Sequence, residues 1–175
     1  MKDFTAEDML LVQNEINQLP YIIEEATKQG MKIAMNPSPF NSKLKECDLD
    51  KIHIFLMNEI EGEQITGKKN PDEILVEMQK KYPKAKVLLT LGKDGALYGD
   101  EKGTLKQEIV KVKAVDTTAA GDTFTGFFLA GFLAGKEMKT VLEMATRASA
   151  LAVTREGAAQ SIPSIDEVEN FEIGL

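Results

Sequence analysis

The sequence is poor in three residue types on which many protein functions depend. Its 175 residues include one cysteine, Cys47, one histidine, His53, and no tryptophan. A single cysteine excludes an internal disulfide and a cysteine-rich zinc site. A single histidine excludes a metal site built from several histidines and a pair of catalytic imidazoles. We therefore expect Cys47 to be a packed free thiol and His53 to be a structural or surface imidazole.

Basic charge and long apolar runs are also scarce. The chain has 21 basic and 28 acidic residues, for a formal net charge of −7. This balance disfavours a nucleic-acid binder and a polybasic membrane-surface protein. The most apolar stretch, residues 124–134, is about half as long as a membrane span. The acidic beginning, MKDFTAED, is unlike a secretory signal. We expect a protein of the cytoplasm with no nucleic-acid or membrane partner.

Short apolar runs alternate along the chain with longer segments of helical spacing. Strands are predicted at residues 9–13, 32–35, 52–57 and 87–91, and helices at 19–30, 58–66, 71–82, 119–135, 137–154 and 163–171. Between residues 95 and 115, short alternating pieces separated by Gly99 and Gly103 predict a hairpin or meander. The length and the lack of a linker-like stretch predict one domain over residues 1–175.

This alternation is typical of βαβ units, so the sequence predicts an α/β fold with three α/β/α layers and a mainly parallel sheet. Ligands of such sheets bind beyond the carboxyl ends of the strands. Polar or glycine-containing clusters follow the predicted strands at Asn36, Asn58, Gly92 and Asp116. We expect these four clusters to converge on one edge of the sheet.

The segment 114–126 is the most informative part of the chain. A strand is expected to end at Asp116, and the small residues 119–121 then lead into a long helix. Small side chains leave the backbone N–H groups at the helix start uncovered, which makes an anion site. Asp122, in the first turn, is placed to take a proton from a hydroxyl that attacks a phosphoryl group. The alternative is that Asp116 or Asp122 only caps the helix.

Five segments, in one order along the chain, carry a resemblance. They are Asn36-Pro-Ser-Pro39, Asn58-Glu-Ile-Glu61, Thr90-Leu-Gly-Lys-Asp-Gly95, Asp116-Thr-Thr-Ala-Ala-Gly-Asp122 and Val153-Thr-Arg-Glu-Gly-Ala-Ala-Gln-Ser161. Together they resemble the motifs of the ribokinase-like (PfkB) family of carbohydrate kinases. The resemblance covers nearly the whole chain, and it implies a ribokinase-like fold and ATP-dependent phosphorylation of a sugar hydroxyl, with ribose the favoured sugar.

The resemblance also implies roles for individual residues. Asp122 would be the catalytic base, and an anion hole would be formed by the N–H groups of Ala119, Ala120, Gly121 and Asp122. Asn58 and Glu61 would organise Mg²⁺ and the phosphates of ATP. The nucleotide side would include Thr90, Gly92, Lys93, Gly95 and Thr146. A potassium ion would be held, largely through backbone carbonyls, by Asp116, Thr118, Ala152, Arg155, Gly157 and Ser161.

Members of the resembled family are longer, and the part without a counterpart here is the front. The resemblance therefore implies a fold truncated at the N-terminus, with residues 1–175 as its C-terminal nucleotide-binding and catalytic part. The sugar-gripping Gly-Gly motif and the small β-sheet lid would be missing. We expect such a chain to bind nucleotide weakly and not to phosphorylate a sugar alone. An exposed strand edge also predicts a homo-oligomer.

Three alternatives remain open on the sequence. One is a non-catalytic nucleotide-binding module derived from a sugar kinase. A second is a kinase for fructose or a nucleoside, because the residues that select the sugar are mostly absent. A third is a Rossmann-type dinucleotide protein, although no Gly-x-Gly-x-x-Gly follows a strand here.

Overall fold

The sheet has six strands whose spatial order follows their order along the chain. The computed structural model describes residues 3–171. Its strands are β1 (Met9–Gln13), β2 (Lys32–Asn36), β3 (Ile54–Asn58), β4 (Lys86–Thr90), β5 (Ala96–Asp100) and β6 (Gly103–Gln107). The first four strands pair in parallel. The predicted mainly parallel α/β fold is therefore confirmed.

Helices alternate with the parallel strands and then dominate the C-terminal half. They are α1 (Leu19–Lys28), α2 (Glu59–Thr66), α3 (Pro71–Lys81), α4 (Ala120–Leu133), α5 (Met138–Ala152) and α6 (Ile165–Glu169). Short 3-10 turns occur at Ser42–Glu46, Leu49–Lys51, Gly92–Asp94 and Ala159–Ser161. None of the helices in residues 3–171 has the length and apolar character needed to cross a membrane.

The chain forms two compact units. The N-terminal unit runs through Leu91 and also includes Leu97–Leu105, and the C-terminal unit comprises Gly92–Ala96 and the residues from Lys106 onward. Neither junction between the units carries a linker-like stretch, so this division has no local signal in the sequence. The units are defined by tertiary contacts, and these contacts join residues that lie far apart in the sequence.

The N-terminal unit places the polar ends of its parallel strands side by side. The central strands β2, β3 and β4 are apolar and almost completely buried, as expected for a parallel sheet covered on both faces. Gln13 lies opposite Asn36 at the end of the β1–β2 pair, and Asn58 lies opposite Thr90 at the end of the β3–β4 pair. Asn36 and Asn58 therefore end parallel strands at the same edge of the sheet, as predicted.

The helix boundaries in this unit follow local signals in the sequence. Gly30 and Gly67 adopt φ of 74° and 73° just beyond α1 and α2, a left-handed conformation that favours glycine. Pro71 begins α3, where its missing N–H is not needed. Asn70 caps the same helix by accepting hydrogen bonds from two first-turn amides.

The predicted hairpin is present, but Gly99 lies inside β5 and not between two pieces. A Cβ atom at position 99 would lie 2.7 Å from Leu75 Cδ1 and 2.8 Å from Gln79 Nε2. The glycine is therefore explained by the close approach of the strand to α3 and does not mark a turn. Gly103 begins β6 at φ 134°.

The C-terminal unit is built on the packing of α4 against α5. A Cβ at Gly131 would lie 2.8 Å from Met144 Cε and about as close to both Val141 methyl groups, so the glycine lets the helices approach closely. The strand predicted to end at Asp116 is wrong: residues 108–119 form neither helix nor strand. Instead, the N–H groups of Val115 and Asp116 both donate to the Val153 carbonyl, at 2.7 and 3.2 Å.

Candidate active site

Asp116 organises the loop that leads into α4. Its Oδ1 accepts hydrogen bonds from both the backbone N–H and the hydroxyl of Thr118, at 2.9 and 2.5 Å. Its Oδ2 accepts a hydrogen bond from the Gly157 N–H, at 3.0 Å. These hydrogen bonds, those from Thr118 first, hold the pKa of Asp116 below its usual range. The carboxylate thus joins the loop before α4 to the loop after α5.

Helix α4 begins without a side-chain cap. Its N-cap residue is Ala119, with φ −100° and ψ 6°, and no side chain bonds to the first-turn amides. Asp116 accepts the Thr118 N–H, which precedes the helix, and neither Asp116 nor Asp122 makes a capping hydrogen bond to the first turn of α4. Asp122 is exposed in the first turn. Of the amides predicted to bind an anion, that of Ala120 donates to the Thr117 carbonyl at 3.2 Å.

Gly121 leaves open space at this helix start, whereas Ala119 is buried. An added Cβ at Gly121 would meet no atom within 4 Å, and the backbone there needs no left-handed conformation. Packing in the C-terminal unit therefore gives no reason for a glycine at position 121. The Ser149 hydroxyl donates to the Ala120 carbonyl at 3.0 Å and fixes the first turn of α4 against α5.

One hydroxyl beside this turn has no partner among the described residues. Thr123 is only 2% exposed, and its Oγ1 is buried without a hydrogen bond. A buried polar group normally has a partner, because leaving it unsatisfied costs free energy. Thr123 is not among the predicted site residues, because no local pattern in the sequence marks it.

The residues predicted to bind potassium lie in one region of the C-terminal unit. Gly157 contacts Asp116 directly, at φ 93°, and Arg155 N–H donates to the Ala152 carbonyl at 3.1 Å. Ser161 is buried, and its hydroxyl donates to the Ala158 carbonyl. The available donors are carboxylate, hydroxyl and carbonyl oxygens, which is the set that a hard cation prefers. The residues therefore fit the predicted ion chemically.

Asn58 and Glu61 form a capping box at the start of α2. Asn58 Oδ1 accepts hydrogen bonds from the N–H groups of Ile60 and Glu61, and Glu61 Oε2 accepts the Asn58 N–H at 2.7 Å. The Asn-x-x-Glu spacing is itself a capping signal, so these two residues have a structural role that was not predicted above. One oxygen of Glu61 is used by the cap. A metal ion bound at this position would therefore use Oε1 or replace the cap.

The predicted nucleotide loop turns tightly at two glycines. Gly92 has φ 54° and Gly95 has φ 95°, and a Cβ at Gly95 would lie 2.0 Å from the Gln107 carbonyl oxygen. The exposed Lys93 lies in the 3-10 turn between them. In the N-terminal unit, the Thr90 hydroxyl donates weakly to the Met57 carbonyl, at 3.4 Å.

Thr146 differs from the other predicted nucleotide residues. Its side chain is buried in α5, and its hydroxyl donates to the Leu142 carbonyl one turn earlier, at 2.8 Å. The hydroxyl therefore already has a hydrogen-bond partner within the helix. The nucleotide contact of Thr146 stays a prediction.

No cluster of three or more histidine, cysteine or carboxylate side chains suited to a metal ion occurs in residues 3–171. A divalent ion at the predicted positions would therefore have one or two carboxylates at most, the arrangement typical of Mg²⁺ bound together with phosphates. An open groove beside α1, lined in part by Tyr21, Glu24 and Lys51, includes none of the predicted site residues.

Comparison with known proteins identifies the family. The pattern of the pfkB family carbohydrate kinases matches residues 17–165. The chain belongs to the pfkB family of carbohydrate kinases. It is 35% identical over 173 residues to a ribokinase of Haemophilus influenzae, covering 94% of this chain and 55% of that protein. It is 34% identical over 172 residues to a ribokinase of Schizosaccharomyces pombe, covering 93% and 54%.

Solved structures agree with this family assignment. The structure of Arabidopsis thaliana ribokinase complexed with ribose and ATP matches with a TM-score of 0.83 and 28% identity, covering 94% of this chain and 56% of that one. The ribokinase-like fold predicted from the five motifs is thereby confirmed. The chain spans about half the length of the pfkB relatives that it matches.

Proposed function

We propose that this chain carries the ATP-binding and catalytic part of a kinase that phosphorylates a sugar hydroxyl, with ribose as the sugar. Membership of the pfkB family supports the reaction class. The relatives named ribokinase, and the Arabidopsis structure with ribose and ATP, support the sugar and the nucleotide. The observation that carries the proposal is the uncapped start of α4, with Asp122 exposed in its first turn.

In the proposed reaction, the oxygen of a sugar hydroxyl attacks the γ-phosphorus of ATP and the bond to the β-phosphate oxygen breaks. Asp122 receives the hydroxyl proton, and ADP leaves. Negative charge on the transferred phosphoryl group would be stabilised by the first-turn amides and the positive end of the α4 dipole. These amides are those of Ala119, Gly121 and Asp122, together with Ala120 if it releases Thr117.

Two metal ions are part of the proposal. Asn58 and Glu61 would hold Mg²⁺, which neutralises phosphate charge when bound. Asp116, Thr118, Ala152, Arg155, Gly157 and Ser161 would hold K⁺. The hydrogen bonds from Thr118 and Gly157 to Asp116 already fix the shape of this loop. On the nucleotide side the proposal includes Thr90, Gly92, Lys93, Gly95 and Thr146.

The test joins this chain to the part of the S. pombe ribokinase that its match leaves uncovered, and measures ribose-dependent ADP formation. We expect the joined protein to turn over and the 175-residue chain alone to bind ATP weakly without turnover. Asp122→Asn in the joined protein should lower kcat by about 10²- to 10⁴-fold, the usual contribution of a general base.

Asp72→Asn is the matched control, because Asp72 is also an exposed acid in the first turn of a helix. It should leave kcat unchanged. Full turnover by Asp122→Asn would contradict the proposed base. If the joined protein binds ATP without turnover, the chain is better explained as a non-catalytic nucleotide-binding module. If turnover is faster with fructose or a nucleoside than with ribose, ribose is not the preferred substrate.

We also propose that the chain self-associates through β1. Within residues 3–171 this strand pairs with β2 alone, at one end of the sheet order, and Leu11 on it is 48% exposed. An unpaired strand edge offers backbone donors and acceptors to a second copy. Sedimentation should give a mass above the 19.3 kDa monomer, and Leu11→Lys should shift it toward the monomer. A monomer at all concentrations would contradict this proposal.

A further inference from the structure

The loop before α4 is held in place by a second loop, which follows α5. The Val153 carbonyl accepts the N–H groups of Val115 and Asp116, and the Gly157 N–H donates to the Asp116 carboxylate. Three hydrogen bonds therefore connect the two loops. The position of Asp116, and with it the approach to the first turn of α4, depends on how firmly residues 153–157 are held.

Besides its hydrogen bonds to the end of α5, the second loop contacts a carboxylate of helix α6. Glu167 Oε1 accepts a hydrogen bond from the Arg155 guanidinium at 2.6 Å. Its other oxygen accepts the Ser164 N–H at 2.7 Å and completes the capping box of α6. Glu167 therefore joins the start of α6 to Arg155, which lies two residues before the Gly157 N–H that binds Asp116.

The conformation of this loop leaves little freedom around Gly157. The residue has φ 93°, and an added Cβ would lie 2.2 Å from Gln160 Nε2. A side chain is thus excluded unless Gln160 moves. A displacement of Arg155 would be transmitted along the chain to the Gly157 N–H, because only Glu156 separates them.

We propose that Glu167 is a positioning residue for the Asp116 loop and the start of α4, acting through Arg155 and Gly157. Glu167 would touch neither ATP nor sugar. The expected effect of Glu167 on turnover rests on the proposed function. The expected effect of Glu167 on the hydrogen bonds of Asp116 does not depend on that function. The path is continuous: Glu167 to Arg155 by an ion pair, along the chain to Gly157, and from there to Asp116 and Thr118 by hydrogen bonds.

The experiment measures amide hydrogen exchange of the 175-residue chain by NMR, with Glu167→Gln as the variant. Glutamine keeps an oxygen for the Ser164 N–H, so the α6 cap is retained while the charge is removed. We expect exchange at the Gly157 and Thr118 amides to be about two- to fivefold faster, the range for losing a partly exposed ion pair. Glu169→Gln, the same change on an exposed residue of the same helix, should leave both amides unchanged.

Arg155→Gln should speed exchange at the same two amides, and the double variant should add little more, because both changes break one contact. Unchanged exchange at Gly157 and Thr118 in Glu167→Gln, or a change confined to α6, would overturn the proposal and leave Glu167 as a cap only. In the joined kinase, Glu167→Gln should lower kcat more than it raises the KM for ribose. If that kinase is inactive without the substitution, the proposed function fails, and the exchange result still decides the positioning role.

Discussion

Helices α2 and α4 begin in opposite ways. At α2, Asn58 has the extended backbone of a capping residue, with ψ −178°, and its side chain and that of Glu61 satisfy the free N–H groups. At α4, Ala119 has ψ 6° and a side chain that cannot accept a hydrogen bond. The first start is closed by the protein's own groups, and the second leaves amides available to a ligand.

Carboxylates near the starts of two helices therefore have different roles in this chain. Glu61 points back to the backbone of Asn58, whereas Asp122 is exposed and belongs to no cap. A carboxylate in the first turn is favoured by the helix dipole, and Asp122 makes no capping hydrogen bond in addition to that effect. Substitutions at the two kinds of position should therefore differ: changes to capping or tightly packed residues should lower stability, and changes at the start of α4 should alter ligand binding.

The largest effect is expected at a glycine that the fold requires. Gly95→Ala would place a methyl group against the Gln107 carbonyl at φ 95°, and it should lower the free energy of unfolding by about 3 kcal/mol or more. Gly103→Ala is the control, because its φ is also positive and an added Cβ meets no atom within 4 Å. It should cost only the backbone strain, about 1–2 kcal/mol. Equal losses in urea denaturation would show that the contact with Gln107 is unimportant.

A smaller loss is expected when the closed helix start is opened. Asn58→Ala removes the acceptor for the Ile60 and Glu61 amides and should cost about 1–2 kcal/mol of unfolding free energy. Asn58→Asp keeps the acceptor and should remain within about 0.5 kcal/mol of the parent chain. If Asn58→Ala proves as stable as the parent in urea denaturation, the capping box does not hold α2, and the contrast with α4 is lost.

His53, like Asn58, accepts a hydrogen bond from a backbone N–H group, and in this case the contact should depend on pH. Its Nδ1 accepts the Ile33 N–H at 3.2 Å, so a side chain of the N-terminal unit again satisfies a backbone group. Burial, first, and the charges of Lys32 and Lys86 lower the pKa of His53 from 6.5, against a hydrogen bond to the Lys51 backbone. The folded state therefore binds the proton less well than the unfolded state does. The contribution of His53 to the unfolding free energy is fully present above about pH 6.5 and is lost as the pH falls through the pKa of the folded state.

The measurement is unfolding free energy against pH between 7.5 and 5. His53 is the only histidine, so the parent chain should lose stability over this interval. His53→Asn keeps an acceptor near the position of Nδ1 but cannot be protonated, and it should flatten the curve. A parent chain with no slope over this interval would show that folding does not lower the pKa of His53, which would contradict the contact with Ile33.

The regular elements were predictable because their signals are local. Buried apolar runs marked β2, β3 and β4, and Gly30, Gly67 and Pro71 marked helix ends. The strand before Asp116 was predicted wrongly, because the N–H groups there bond to the Val153 carbonyl, which lies far along the chain. Gly99 was misplaced for a similar reason, since its neighbours Leu75 and Gln79 belong to α3.

Less of the candidate site could be read from sequence. The small residues before Asp122 predict a helix start without a side-chain cap, and α4 has none. Its use as an anion site stays a prediction. The use of Asn58 and Glu61 as a cap was missed, although their spacing is a capping signal. The ion pair of Arg155 with Glu167 had no sequence signal, because nothing local fixes which carboxylate a surface arginine meets.

The smallest effect on stability is expected at Gly121. This residue also provides the test of the proposed anion site at the start of α4. Position 121 is open and has ordinary helical conformation, so Gly121→Ala should raise the unfolding free energy by about 0.5–1 kcal/mol. Gly126→Ala, equally open and on the same helix, should do the same. The two variants should differ only in ligand binding, since only position 121 lies in the first turn.

The decisive measurement is calorimetric titration of Mg²⁺–ATP into the parent chain, Gly121→Ala and Gly126→Ala. If the start of α4 binds phosphate, the methyl group of Gly121→Ala narrows that space, and affinity should fall at least about tenfold, or 1.4 kcal/mol, while Gly126→Ala binds like the parent. Equal affinity in all three chains would contradict an anion site at this helix start.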